Sequence, residues 1–339
     1  MSQYGINDRY QLMWRFRTNS MFDLANYYSM HPVLLDEHFR SLPPIINYSN
    51  KEFYGNRIKV MRRNDNSSKV IEAIVVPDGK VDSDATRNLP EIEALVKRLH
   101  EIVVEDERKA TNNPEHKPVS IGIISPFRAQ VEQLKISVSK VLSEHMMEKH
   151  QIEIGTAHTF QGDERDIMLI SWAYAQNSYP QSLIFLQKPN LFNVAITRAR
   201  FKTINFISKD PRELPEGILR SYFGFIEEYE NRYALINSDE FDENIYKNSL
   251  EREVAQAFRD LGHKVLCGDE IAGLSADLLV DNKFIVEIDG LEDKIPNKVS
   301  NMKKQAIFER SGLKVSRISA REWSYSPKAC IDRIINCNL

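Results

Sequence analysis

The sequence predicts an α/β protein: a parallel sheet with helices on both faces, followed by a small α-β-β-β-α-β domain. Three observations carry that prediction. Through the first two thirds, short runs rich in β-branched residues alternate with helical patterns, the signature of strands joined by crossover helices. Near residue 218 the pattern resets into a new order of elements. The length of 339 residues is more than one core of ordinary size takes up, which sets an expectation of roughly two domains. The expected division is residues 1–218, a linker at 219–247, and a second domain at 248–339.

In order, the β-rich runs of the first part are "PVLLDEHF", "IEAIVV", "VSIGIIS", "IEIGTAHTF", "DIMLISWA" and "FKTINFIS". Between the second and third, Ile92, Leu95, Val96, Leu99 and Val103 recur at helical spacing behind Pro90, and core packing accounts for that stripe fully. From Glu107 to Pro118 the periodicity stops and turn formers take over, so a solvated loop is expected there. A second helix follows "VSIGIIS". After the acidic "NSDEFDEN" the second domain reads helix ("LEREVAQAFRDLG"), three strands ("HKVLC", "SADLLV", "KFIVEID"), helix ("VSNMKKQAIFERSG") and strand ("LKVSRI"). The aromatic stretch Tyr222 to Tyr233 before it has the character of a segment that packs back on the first sheet.

Composition narrows the function classes. With 42% apolar and 27% charged residues and no biased tract, the chain reads as globular, not as collagen, coiled coil or a disordered polymer. A net charge of −3 argues against a wholly basic nucleic-acid coat and leaves room for a local basic groove. The three cysteines have no metal-ligand spacing. The longest apolar runs fall short of a membrane span and the polar start is no secretory signal, so a cytoplasmic location without a membrane partner is expected.

In a parallel sheet ligands gather beyond the carboxyl ends of the strands. Three polar segments stand there: "DEHFRSLPPI", "PFRAQ" and "AHTFQGDERD". A fourth stretch, "LFNVAITRAR", reads as a short helix from Leu191 to Arg200 on which Arg198 falls among Leu191, Val194 and Ala195. A guanidinium on a packed face either snorkels to water or meets an anion.

Together these segments resemble motifs IV, V and VI and an accessory motif of superfamily 1 helicases. The likeness covers about residues 20 to 208 and is strongest toward the Dna2/Nam7 and RecD-like branch. The resemblance implies a RecA-like second motor domain. It implies that Arg198 and Arg40 reach the γ-phosphate of ATP, that Glu164 contacts the ribose, and that Phe127, Gln130, Thr156 and His158 face a single strand of nucleic acid. Arginine suits such a role, since it offers a fixed fork of donors to the charge that accumulates in phosphoryl transfer. The sequence holds no G-x-x-x-x-G-K-[ST] stretch, and its only Gly-Lys pair, Gly79-Lys80, is followed by Val81. The expectation is therefore ATP shared with a separate P-loop-bearing RecA-like domain or subunit, this chain being an excised segment, a split-gene subunit or a decayed fragment.

In the second domain the chemistry lies in acids. Glu251 opens a helix, Asp277 interrupts an apolar strand, and Glu287 and Asp289 alternate along the next. Three carboxylates can hold Mg²⁺ or Mn²⁺. A two-residue turn at Asp281-Asn282 sets Asp277 opposite Val286, whereas a three-residue turn over "DNK" sets it opposite Glu287, and the latter or an equivalent bulge is expected. The competing account gives Glu251 a capping or helix-dipole role and Asp289-Gly290 a turn. Array and acids resemble the PD-(D/E)xK nuclease fold, a restriction-endonuclease-like architecture, in its Vsr-like and DUF559-like members. That resemblance implies a metal bound by Asp277, Glu287 and the carbonyl of Ile288. Asp289 stands where the pattern usually carries lysine; Lys303 or Lys304 supplies that charge, or Asp289 is a third ligand. The expected function is the C-terminal part of a DNA helicase with an appended metal-dependent nuclease. The alternative is a non-catalytic fragment that binds DNA or a motor partner and carries a decayed nuclease site.

Overall fold

The computed structural model describes residues 19–31, 33–64, 68–82, 86–236, 248–289 and 295–338, without the side chains of 235–236 and 295–300. The chain divides into two compact units, 1–36 and 37–339. In the first unit helix α1 (Met21–Tyr28) is closed at its N-terminus by a capping box: the Ser20 hydroxyl accepts from the Asp23 N–H while the Asp23 carboxylate accepts from the Ser20 N–H.

The second unit begins with a parallel ribbon, β1 (Glu37–His38) against β2 (Lys59–Val60), which brackets helix α2 (Pro43–Tyr54). The run "PVLLDEHF" therefore supplies only a two-residue strand outside the main sheet. It alternates as a strand does, but Val33 and Leu35 stay exposed.

The main sheet follows: β3 (Ile71–Val75), helix α3 (Leu89–Asn112), β4 (Ile121–Ile124), helices α4 (Arg128–Ser139) and α5 (Glu144–Lys149), β5 (Glu153–Gly155), β6 (Arg165–Ser171), helices α6 (Pro180–Leu186) and α7 (Pro189–Ile196), and β7 (Ala199–Ile207). Its five strands run parallel in the order β3-β7-β6-β4-β5. Strand alternation sends neighbouring side chains to opposite faces. Leu169 of β6 packs with the α3 and α4 stripes, and Ile170 packs with Tyr48, Phe192 and Tyr222 from the helices on the other face. Both faces are thus covered, as an all-parallel sheet requires.

Helix α3 outruns its apolar stripe and ends at Asn112, so the expected loop from Glu107 starts several residues late. Its last turns persist because their charges find partners. Lys149 Nζ lies 2.7 Å from Glu107, and Asp106 accepts the Val119 N–H at 3.1 Å and meets His116 Nε2 at 2.7 Å.

Helix α8 (Ile218–Ile236) buries Leu219, Tyr222, Phe223 and Ile226 against the first sheet, so the aromatic stretch packs back as expected and the early part of the anticipated linker is helical. Residues 237–247 lie outside those described.

The second array comprises helix α9 (Ser249–Asp260), β8 (Val265–Cys267), a hairpin of β9 (Glu270–Ile271) and β10 (Leu274–Ser275), β11 (Leu278–Val280), β12 (Phe284–Asp289), helix α10 (Ile295–Arg310), β13 (Lys314–Ser319), and helices α11 (Ala320–Tyr325) and α12 (Pro327–Asn338). Its four-stranded sheet has the order β13-β12-β11-β8, with β12 parallel to β13 and the other pairings antiparallel. Leu278, Val280, Phe284 and Val286 pack on one face with α9 and α12, and Leu279 and Ile285 on the other with Phe308 of α10. Among the described residues no helix is long and apolar enough to cross a membrane.

Candidate functional sites at the strand ends

Two groups flank α7, one at the amino ends of β6 and β7 and the other beyond the carboxyl ends of β4 and β5. The apolar faces of α7 end at Ile196, and Thr197 leaves the helix at φ −111° and ψ 14°. Arg198 therefore lies in the turn between α7 and β7, off the helix that its sequence pattern suggested. The helix stops because Ala199 and Arg200 are already drawn into β7, Ala199 opposite Arg165 of β6.

In that turn Arg198 Nε donates to the Val194 carbonyl at 3.2 Å, and Arg40 Nη2 donates to the Thr197 carbonyl at 2.8 Å. Both guanidinium groups thus gather at the C-terminal carbonyls of α7, where the helix presents negative partial charge. Glu164 answers the cluster from the β5–β6 loop, its carboxylate 3.6 Å from Arg40 Nε and 3.3 Å from Arg200 Nε. Among the described residues Arg198 makes no ion pair, and its pKa is lowered by burial and then by the neighbouring Arg40. Positive charge outweighs negative here, and a phosphate fits that imbalance better than a carboxylate already engaged. Arg200, two residues beyond Arg198, was not singled out from the sequence; the alternation of an Arg-x-Arg at a strand start was the available signal.

His38 belongs to the same group. Its Nε2 accepts the Ser41 N–H at 2.9 Å, and burial, with Arg40 and Arg62 nearby, pushes its pKa down to about 4. A protonated ring has no acceptor to offer, so the hydrogen bond holds the neutral imidazole.

On the other side of α7 lies a cavity of about 560 Å³ lined by Phe127, Arg128, Thr156, His158, Phe185 and Leu191, among others. The Phe127 and Phe185 rings lie 5.7 Å apart. Thr156 and His158 come from the turn after β5, which folds so tightly over the strand end that a Cβ on Gly155 would lie 2.4 Å from the Thr159 hydroxyl. Three of the four residues expected to face a strand thus meet at one cavity.

Gln130 does not, and this corrects the sequence expectation. It is fully buried, accepting the Asn88 N–H at 2.8 Å and donating to the Ser171 hydroxyl at 2.8 Å. A carboxamide can donate and accept at once, and the buried polar groups of α3 and β6 need both services more than a solvent-side ligand does.

In the second array β11 pairs with β12 as Leu278 with Val286 and Val280 with Phe284, so the turn spans Asp281, Asn282 and Lys283. This is the register of the three-residue turn, and continued by one step it sets Asp277 opposite Glu287. Asp281 and Asn282 take φ of 50° and 55°, a left-handed conformation that Asp and Asn tolerate. Asp277 Oδ2 accepts the Ile288 N–H at 2.9 Å, and the Glu287 carboxylate accepts from Asp277 N–H at 3.3 Å and from Lys304 Nζ at 2.7 and 2.9 Å. Both acids are buried, so these donors offset the desolvation cost of two carboxylates side by side. Lys304, not Asp289, stands beside the pair; Asp289 is held by Arg317 Nη1 at 2.5 Å. Glu251 is buried in the first turn of α9, whose N-cap is Asn248; the Asn248 side chain accepts the Glu251 N–H at 2.9 Å and donates to the Glu251 carboxylate at 3.4 Å. Among the described residues no group of three or more His, Cys, Asp or Glu side chains gathers as a metal centre. Asp277 and Glu287 fit a divalent cation as two adjacent carboxylates; further donors would have to come from backbone or solvent.

Residues 17–209 match the family described as AAA domain, AAA_12. The chain belongs to this family. It is 34% identical over 136 residues to the "Putative helicase MOV-10" of Gallus gallus, a match covering 37% of this chain and 14% of that protein. It is 28% identical over 208 residues to the "DNA replication ATP-dependent helicase/nuclease DNA2" of Gallus gallus, covering 51% of this chain and 20% of the relative. It is 28% identical over 199 residues to "Helicase SEN1" of Saccharomyces cerevisiae, covering 55% and 9%. The chain thus spans a fifth or less of the length of these relatives.

Proposed function

We propose that the first sheet and its helices serve as the second motor domain of a superfamily 1 nucleic-acid helicase. Family membership and the helicase relatives support this reading, and the observation that carries it is the Arg40–Arg198 pair at the end of α7. The two guanidiniums hold the phosphate end of ATP whose other half is bound by a P-loop domain. Glu164 orients Arg40 and Arg200 and is assigned the ribose contact. ATP supplies the phosphoryl group, and Arg198 compensates the charge that accumulates as it leaves. Behind α7, the cavity at Phe127, Thr156 and His158 takes a base of a single strand by stacking and hydroxyl contacts. The test supplies a P-loop-bearing motor domain and single-stranded DNA and measures ATP turnover. Arg198→Ala is expected to lower turnover by about 10³-fold or more with DNA binding retained; turnover within a few-fold of the parent sinks the assignment.

The second array supports a separate reading, a metal-dependent nuclease, on one observation: Asp277 and Glu287 lie opposite each other with Lys304 beside them. Asp277 and Glu287 would hold a divalent ion, and the chemistry it would supply there is activation of water for phosphodiester hydrolysis. Lys304, beside the pair, would neutralise a phosphate oxygen. The full chain is incubated with single- and double-stranded DNA and Mg²⁺ or Mn²⁺ beside an Asp277→Ala/Glu287→Ala control. Cleavage by the parent alone supports the nuclease, and cleavage by both or by neither counts against it.

A further inference from the structure

We infer that the three consecutive residues Met61, Arg62 and Arg63 are positioning residues that couple the arginine cluster at α7 to the paired acids of the second array. They follow β2 directly, and each engages a different structure. Met61 is 2% exposed and packs with Leu279, Ile285 and Phe308. Leu279 and Ile285 lie two residues from Asp277 and Glu287 along β11 and β12, and side chains two apart share a sheet face. The thioether therefore sits on the face that carries the acids. Arg63 Nη1 and Nη2 clasp the backbone carbonyl and side-chain oxygen of Asn282 at 2.7 and 3.1 Å. Asn282 is the centre of the turn that sets Asp277 opposite Glu287, and His263 Nδ1 secures the turn from the other side at 2.7 Å from Asp281.

Arg62 points the other way. Its Nη1 donates to the Arg40 carbonyl at 2.8 Å and its guanidinium lies 4.5 Å over the Phe201 ring. Among the described residues, its hydrogen bond and ring contact both stay within the first array. The ribbon partner is tied as well: Met61 N–H donates to the His38 carbonyl at 2.8 Å, and Arg310 at the end of α10 meets Glu37 at 2.6 Å. Lys304, on the same helix as Arg310, holds Glu287. A shift of Arg40 thus travels through its own carbonyl to Arg62, and from there through one peptide on each side to the core and the turn of the second array. Contiguous packed and hydrogen-bonded elements are the physical means by which one site biases another.

This inference rests on the reading of Arg40 as a phosphate-facing arginine, but its test uses no nucleotide, so either can fail while the other stands. The Ile288 N–H, bonded to Asp277, is the reporter. Amide hydrogen exchange of the full chain is read on the peptide spanning 284–289, with the peptide spanning 165–171 in β6 as the internal reference for global opening. Arg62→Ala and Arg63→Ala are expected to speed exchange in 284–289 by about tenfold relative to the reference. Arg63→Lys, which keeps the charge but loses the two-pronged contact with Asn282, falls between, and Arg108→Ala on the exposed side of α3 changes nothing. Arg62→Lys replaces Arg62→Ala if alanine does not fold. Arg62 is decisive because, among the described residues, the hydrogen bond and ring contact of its side chain are both with the first array. Parent-like exchange in 284–289 of an Arg62 variant, or equal acceleration of both peptides, overturns the coupling.

Discussion

The Glu91 carboxylate, at the third position of α3, is fully buried. Ser171 Oγ donates to it at 2.6 Å, Ala173 N–H at 2.7 Å, Ser208 Oγ at 3.0 Å and Asn88 Nδ2 at 3.4 Å. Burial nevertheless dominates over these donors and pushes its pKa from 4.5 up to about 7. A carboxyl raised in the folded state binds its proton more tightly there than in the unfolded chain. Its contribution to stability is complete below pH 4.5, is lost as pH rises toward 7, and is constant beyond. At roughly 1.4 kcal/mol per pH unit, the 2.5-unit span from 4.5 to 7 amounts to about 3 kcal/mol. Glu91→Gln removes the titration and keeps the shape. The assay is urea denaturation of parent and variant between pH 4.5 and 8, taking their difference so that every other titration cancels. The variant is expected to gain about 3 kcal/mol relative to the parent across that range, whatever the fixed cost of its altered hydrogen bonds. Parallel curves would refute the reasoning and show that the four donors hold the carboxylate ionised without penalty.

Two further outcomes follow from the same contacts. His38, lowered to about 4, has the opposite sign: its stability contribution is present above pH 6.5 and is lost as pH falls toward 4, so His38→Gln flattens the acid limb of the denaturation profile and an unchanged limb contradicts it. Lys304→Met leaves the buried Glu287 without its cation and is expected to cost about 2–4 kcal/mol by urea denaturation, with Glu287→Gln added to it restoring most of the loss; a double variant as unstable as the single one would mean that Lys304 acts by packing over Phe308.

The local patterns of this chain were legible in its sequence because they are periodic. Alternating β-rich runs and helical stripes marked the parallel sheet, and period two along "FIVEID" put Glu287 and Asp289 on one face. The three-residue turn over Asp281–Lys283 was readable too, since the parity of a turn and the need to bring buried acids together are both local matters. Where a polar side chain finds its partner is not periodic. Gln130 is spent on Asn88 and Ser171, Asp289 on Arg317, and Arg198 leaves its helix because β7 claims the next residues. Arg63 reaches Asn282 across 219 positions of sequence. Such pairings depend on which strands become neighbours and which buried groups must be satisfied once they do, so the tertiary structure alone decided which of the arginines and acids stand at an open site and which hold the fold together.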